Sequence, residues 1–249
     1  MTNTYNSRKA GASSLAWTAE EEKSFARCSS KSKKLRVEIV GMADLLRSED
    51  RPECFQYPYT NETYSILTLD KLRRVVRGKK RLLFVVGGGG ILKLLPALAE
   101  GNDFESITGI DINLGQLLNF KHLCKKINEG KDVFIRRNTS YGNTVSLKQT
   151  VIAGSEWLGN VGLHRYEFFL VPGIKLERNI PGINLIHDSI ERYLQRVPDK
   201  HAPDVLYLSN VLEWNSDLYS VIHKSRKIPK NAVIMAYKTA RDGLGFYRK

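Results

Sequence analysis

The chain has 249 residues and carries 39 lysines and arginines against 26 aspartates and glutamates, a formal net charge of +13. This length suits one large domain with a single hydrophobic core. No apolar run approaches the roughly 20 residues that cross a bilayer, and the polar amino terminus does not resemble a secretory signal. We therefore expect a cytoplasmic protein with no membrane span.

The first part of the chain predicts a polar tail and then helices. Residues 1–16 are rich in Ser, Asn, Thr and Gly, and we expect this tail to be disordered. Residues 17–78 predict a small helical cover, in which Thr18 and Glu21 form a capping box. The cover is expected to hold three helices, one starting at Thr18, one over 33–46 and one over 65–77.

From residue 79 to 249 the pattern changes to strands that alternate with helices. Such alternation implies parallel βαβ units and an open, doubly wound sheet, so the predicted fold class is α/β. The expected strands are 81–86, 106–111, 184–187, 204–209 and 232–237, with 133–135 and 166–171 as further extended segments. The expected helices are 91–100, 114–128, 189–195 and 216–226. The strand over 232–237 is expected to close the series.

Four consecutive glycines, Gly87, Gly88, Gly89 and Gly90, follow the first of these strands. Glycine lets the backbone turn tightly and approach a ligand closely. Ligands of doubly wound sheets bind at the carboxyl ends of the strands. A dinucleotide loop reads G-x-G-x-x-G, but Leu92 stands in the place of its third glycine. The loop therefore favours S-adenosylmethionine (SAM) over NAD, and a tight turn without a ligand is the alternative.

Polar residues also follow three other predicted strands. Asp111 can accept hydrogen bonds from a ribose diol, or it can cap the next helix. Asp188 can accept from an adenine amino group, with backbone groups near Ser189, or the pair can start a helix. Ser209 and Asn210 can hold the amino-acid end of SAM, or they can form a cap or turn.

Two segments resemble the betaine-lipid synthase group. Residues 109–121 resemble that group's D-x-N-x-x-Q stretch, and residues 208–214 (LSNVLEW) resemble its L-S-[ND]-x-[FL]-[ED]-[WY] segment. With the glycine loop, the resemblance covers about residues 80–240. It implies a Rossmann-like SAM-dependent methyltransferase fold. It also implies use of the 3-amino-3-carboxypropyl arm of SAM, with release of methylthioadenosine. The final β-hairpin usual in SAM methyltransferases is not expected here.

The resemblance also implies roles for single residues. Asp111 binds ribose, Asn113 and Gln116 shape the same pocket, and Ser209 and Asn210 contact the aminocarboxypropyl part. Small enzymes similar to this group close the arm on itself and give azetidine-2-carboxylate. Self-cyclisation and transfer to a small acceptor therefore both stay open, as does ordinary methyl transfer to a small molecule or RNA.

A tyrosine ring can stabilise the sulfonium of SAM by a cation–π contact. The candidates for that contact are Tyr57, Tyr59, Tyr64, Tyr141 and Tyr166. Of these, Tyr141 is predicted to be a catalytic residue, together with Ser209 and Asn210.

The distribution of positive charge along the chain indicates which kinds of partner it can attract. Basic residues concentrate at 31–34, 73–81 and 136–137, and such an excess can attract nucleic acid, an anionic membrane surface or acidic small molecules. Because aromatic residues do not alternate with them as they do in stacking platforms, a solvated basic surface is favoured over nucleic acid.

Cys28, Cys54 and Cys124 are widely spaced, which indicates a reducing compartment without disulfides or a zinc site. No metal is expected, and the sequence does not predict an oligomeric state.

Overall fold

The computed structural model describes residues 17–28, 36–40, 59–60, 66–87, 89–99, 102–130, 133–138, 166–171, 182–209, 211–237 and 244–249. The strands are β1 (Val37–Val40), β2 (Tyr59–Thr60), β3 (Arg81–Val85), β4 (Ser106–Asp111), β5 (Val133–Asn138), β6 (Tyr166–Val171), β7 (Ile183–His187), β8 (Val205–Tyr207), β9 (Val233–Ala236) and β10 (Gly245–Arg248). The α-helices are α1 (Ala19–Cys28), α2 (Ile66–Val75), α3 (Leu95–Ala99), α4 (Leu114–Asn128), α5 (Ile190–Arg196), α6 (Val211–Trp214) and α7 (Asp217–Lys224), with 3-10 turns at Gly90–Lys93 and Asp199–His201.

The main sheet has the order β1-β7-β4-β3-β8-β9-β10. Its strand pairs are parallel except β9 with β10. The chain moves from β3 to β4 on one side of the sheet and later adds β8 on the other side of β3. The strand order therefore reverses between β3 and β8, which is where ligands bind in open α/β sheets. The protein is α/β, and this arrangement is compatible with a Rossmann-like fold.

Two apolar layers cover the main sheet. On one face Phe84 of β3 packs with Phe120 of α4, with ring centroids 5.4 Å apart. On the other face Leu83 packs in a layer with Ile190 of α5 and Ile222 of α7. Burial on both faces explains why the strands read as continuous apolar runs. Within the described ranges, each helix is too short or too polar to cross a lipid bilayer.

The prediction of a helix over residues 33–46 is wrong, because this stretch contains β1. Val37 of β1 lies opposite Ile183 of β7, so β1 extends the main sheet at one edge. Leu35 and Ile39 have helical spacing, but the sequence Val-Glu-Ile-Val is rich in β-branched residues that suit a strand. Pairing with β7 then decides the conformation. The helices expected after Thr18 and over 65–77 are confirmed as α1 and α2.

The prediction that residues 232–237 form the last strand is also wrong. β10 follows it and runs antiparallel to β9, with Gly245 opposite Ala236 and Arg248 opposite Val233. Phe246 packs against one core layer and Tyr247 against the other. A strand of four residues is too short for its alternation to be recognised in the sequence.

Two further differences concern the elements around the glycine loop and α4. The helix expected over 91–100 begins as a 3-10 turn, and α3 starts only at Leu95. Pro96 lacks the N–H that a continuous α-helix would need at that position. The extended segments at 133–135 and 166–171 are strands, but they form a separate sheet of order β2-β5-β6. The other predicted strands and helices of residues 79–249 agree with the structure to within two residues.

Candidate functional site

The glycine loop continues directly from β3. Val86 still donates to the carbonyl of Ile110, at 3.0 Å, and the chain then turns. Gly87 has φ +46° and Gly89 has φ +84°. L-residues with side chains rarely adopt these left-handed values, so the backbone favours glycine at both positions.

Asp111 joins the end of β4 to this loop. Its Oδ2 accepts a hydrogen bond from the Gly87 N–H at 3.0 Å, and its Oδ1 accepts from the Asn113 N–H at 2.9 Å. Burial raises the pKa of Asp111 above its ordinary value, and the hydrogen bonds from Asn113 and Gly87 and the nearby His187 oppose that rise. A carboxylate has about four acceptor positions, so capacity for a ligand hydroxyl remains.

The residues after Asp111 have structural roles of their own. Asn113 is the N-cap of α4, and its side chain accepts from the Gly115 N–H at 2.8 Å. The alternative reading of Asp111 as this cap is therefore wrong. Gln116 lies buried in the first turn of α4, with 1% of its surface exposed. The pocket roles of Asn113 and Gln116 stay predictions.

Ser209 lies against the glycine loop from the other side. A Cβ placed on Gly87 would be 4.0 Å from the Ser209 Oγ. Ser209 is buried and has φ +53°, the one positive value at a non-glycine residue in the part of the chain described. Its carbonyl accepts from the Tyr237 N–H at 2.9 Å, which fixes it beside β9. Strained backbone of this kind is concentrated at functional sites.

Asp188 and Ser189 follow β7 beside Asp111, whose carbonyl accepts from the Asp188 N–H at 3.2 Å. Ser189 is the N-cap of α5, so the prediction of a helix start is confirmed. The Asp188 carboxylate pairs with Arg192 at 3.3 Å and Arg196 at 3.2 Å. These ion pairs direct it toward α5, and its adenine-binding role stays a prediction.

Two residues at this edge were given no role in the sequence analysis. His187 lies opposite Asp111 in the register of β4 and β7, and its Nε2 is 2.8 Å from the Ile112 carbonyl oxygen. Ile112 is 74% exposed, although large apolar side chains are usually buried. An exposed apolar side chain next to Asp111 could cover the flat face of a nucleobase. The signal in the sequence was an isoleucine placed between two polar residues.

Three predicted site residues, Gly88, Tyr141 and Asn210, lie outside the described residues, as do the candidate tyrosines Tyr57 and Tyr64. Tyr59 and Tyr166 lie in β2 and β6 of the smaller sheet. Their roles stay predictions. The described ranges contain no group of three or more His, Cys, Asp or Glu residues that could hold a metal ion. The structure thus brings together Gly87, Asp111 and Ser209 from the predicted set.

No protein-family model matches the chain, and no significant match was found among curated proteins.

The strain at Ser209 predicts a difference between two substitutions. Ser209→Gly and Ser209→Ala both remove the hydroxyl, but only glycine adopts a positive φ without a steric penalty. We expect the glycine variant to have a free energy of unfolding about 1–2 kcal/mol higher than that of the alanine variant. Urea unfolding of both variants measures this difference. Equal stability of the two would contradict a strained backbone at Ser209.

Proposed function

We propose that the chain binds SAM at the carboxyl ends of β3, β4 and β8 and uses its 3-amino-3-carboxypropyl arm, releasing methylthioadenosine. The observation that carries the proposal is the convergence of Gly87, Asp111 and Ser209 where the strand order reverses. The choice of the aminocarboxypropyl arm rests on the resemblance of residues 109–121 and 208–214 to the betaine-lipid synthase group.

The residues at this edge fit the chemical groups of SAM. Asp111 would accept from the ribose hydroxyls through its remaining acceptor positions. Ile112 offers an apolar surface for the adenine ring. The Ser209 hydroxyl, on the other side of the glycine loop, would bind the amino-acid end. Glycine at position 87 leaves no side chain between these groups.

The proposed reaction is a displacement at the Cγ of the methionine arm. An amine nitrogen forms a bond to Cγ, the bond from Cγ to sulfur breaks, and methylthioadenosine leaves as a neutral molecule. The amine then gives its proton to solvent. If the amine is SAM's own α-amine, the product is azetidine-2-carboxylate; otherwise a small external acceptor is alkylated. The chain's contribution is to hold the nucleophile in line with Cγ.

Methyl transfer is the second candidate, and β10 is the observation that favours it. A strand antiparallel to the fifth parallel strand of the series, β9, supplies part of the final hairpin usual in SAM methyltransferases. The same site would then direct the methyl carbon, and not Cγ, at an acceptor. The two candidates share SAM and differ in the product.

Incubation of the full chain with SAM alone should separate these candidates. Self-cyclisation gives methylthioadenosine and a four-membered imino acid in equal amounts, which mass spectrometry detects. Unchanged SAM would exclude self-cyclisation and would require an added acceptor. S-adenosylhomocysteine as the product with any acceptor would refute use of the aminocarboxypropyl arm. A heat-denatured sample controls for spontaneous breakdown of SAM.

The role of Asp111 predicts a loss of SAM affinity in the Asp111→Ala variant. Removal of a hydrogen bond to a charged group costs about 1.5–3 kcal/mol, so the Kd should rise about tenfold to a hundredfold. Isothermal titration calorimetry measures it. Asp217→Ala, which removes an exposed carboxylate from α7, is the matched control and should bind like the wild type. A folded Asp111→Ala protein with unchanged affinity would refute the ribose role.

The raised pKa of Asp111 predicts that SAM binding weakens on mild acidification. Protonation removes acceptor capacity, so affinity is complete above the pKa of Asp111 in the folded chain and falls by about tenfold per pH unit below it. Burial shifts this loss to a higher pH than for an ordinary aspartate. Titrations over a pH series test it. In His187→Gln, which removes an imidazole that opposes the rise in the Asp111 pKa, the loss of affinity should persist and move to higher pH. An affinity that stays constant through the acidic range would count against the carboxylate as an acceptor.

A further inference from the structure

A second surface of the chain, away from the glycine loop, is strongly basic. It is formed by α7, by the loop between α7 and β9, and by β10. Residues 218–237 and 244–249 contain six lysines and arginines and no aspartate or glutamate. We call this surface the C-terminal basic edge. Its cations are Lys224, Arg226, Lys227, Lys230, Arg248 and Lys249.

Backbone contacts place the cations of the loop after α7 and Lys249 on one surface. The Lys249 N–H donates to the carbonyl of Ala232 at 3.2 Å. The Lys249 Nζ donates to the carbonyl of Ile228 at 2.7 Å and to that of Ser225. Arg248 lies opposite Val233, which packs in the layer of Phe84, so its side chain is on the other face of the sheet from α7. The end of β10 and the loop after α7 are thus held together.

The positive charge of this edge is largely uncompensated. Lys227 pairs with Asp199 at 2.7 Å. Lys224, Arg226, Lys230 and Arg248 are exposed, and none of the four forms an ion pair within the described part of the chain. Burial and the neighbouring charge of Lys230 lower the pKa of Lys249. Bound anions would relieve such repulsion.

The helix that ends at Lys224 also carries a partly exposed aromatic ring. Tyr219 of α7 is 38% exposed, its ring centroid is 6.0 Å from that of Tyr247, and the two rings are nearly perpendicular. Tyr219 also lies 4.3 Å from His223. Folding therefore pairs the two tyrosine rings, and Tyr219 lies on the same helix as Lys224, five residues before it. Rings beside a cationic surface are the components that bind single-stranded nucleic acid.

We propose that the C-terminal basic edge binds single-stranded nucleic acid. Phosphates would contact Lys224, Arg226 and Lys230, and a base would stack on Tyr219. An anionic membrane would use the same cations, but the partly exposed ring held by Tyr247 and His223 favours bases. The cations lie at the amino ends of the parallel strands, away from the glycine loop, so the proposed role of this surface is to anchor a strand.

Fluorescence anisotropy of labelled single-stranded RNA and DNA oligonucleotides of mixed sequence tests this proposal. The full chain is titrated without SAM over a series of salt concentrations, so the result does not depend on the proposed cofactor. The edge variant combines Lys224→Gln, Arg226→Gln and Lys230→Gln. The control combines Lys121→Gln, Lys125→Gln and Lys126→Gln on α4, which changes the net charge equally.

We expect the edge variant to lose affinity about tenfold or more and its salt slope to fall by about two, since each phosphate contact contributes about 0.7 for single strands. The control should bind within about twofold of the wild type. Tyr219→Ala should lose about tenfold in affinity with an unchanged salt slope, because stacking is uncharged. Tighter binding of the RNA or of the DNA oligonucleotide identifies which nucleic acid is the partner.

Three outcomes would overturn the proposal. They are no binding of either oligonucleotide at low salt, equal losses in the edge and control variants, and an unchanged affinity in Tyr219→Ala together with tight binding to phosphatidylserine vesicles. The last would assign the edge to a membrane surface. Thermal unfolding checks that each variant is folded, and the single substitution Arg226→Gln replaces the edge variant if the latter unfolds.

Discussion

The hydrogen bond from the Gly87 N–H to the Asp111 carboxylate fixes the candidate site, because it joins the loop after β3 to the end of β4. It also places a charge where burial disfavours it, and burial raises the pKa of Asp111 even though three backbone N–H groups stabilise the ionised form. A ligand that donated further hydrogen bonds would stabilise the same ionised form. Ligand binding and ionisation of Asp111 are therefore linked. Because the Asp111 carboxylate keeps acceptor capacity, it is better suited to binding a diol than to a purely structural role.

Ser209 is a second residue whose position in the site is set by the main sheet. Its left-handed backbone is unfavourable for a residue with a side chain, yet the Tyr237 N–H holds its carbonyl and the end of β8 leaves it little freedom. A glycine would meet the backbone requirement at this position with less strain. Ser209 nevertheless places a hydroxyl beside the glycine loop, where the proposed ligand would lie.

The sequence predicted an element correctly where residues close together in the chain determine its conformation, and it failed where distant residues do. β3, β4 and α4 were predictable because a long apolar run or a full helical period marks each of them, and Asp111 was predictable because it ends such a run. β1 was not, since its strand conformation depends on the edge that β7 offers. The capping role of Asn113, the ion pairs of Asp188 and the exposure of Ile112 depend on side-chain directions that residue type does not specify. The positions of Asp111 and Ser209 on opposite sides of Gly87 follow from the strand order, which alternation alone does not give.

The two proposed binding regions lie at opposite ends of the main sheet, and α7 is the element that extends between them. It begins at Asp217, shortly after Ser209 and α6, and ends at Lys224 on the C-terminal basic edge. Leu218 and Ile222 bury it against the sheet, so a tightly packed helix separates the strained serine from the cations. A strand anchored at the cations would have to pass Tyr219, in the first turn of α7, to approach the glycine loop. The proposed nucleic-acid surface is therefore separated from the proposed SAM site by a packed helix, and its role would be to anchor a strand.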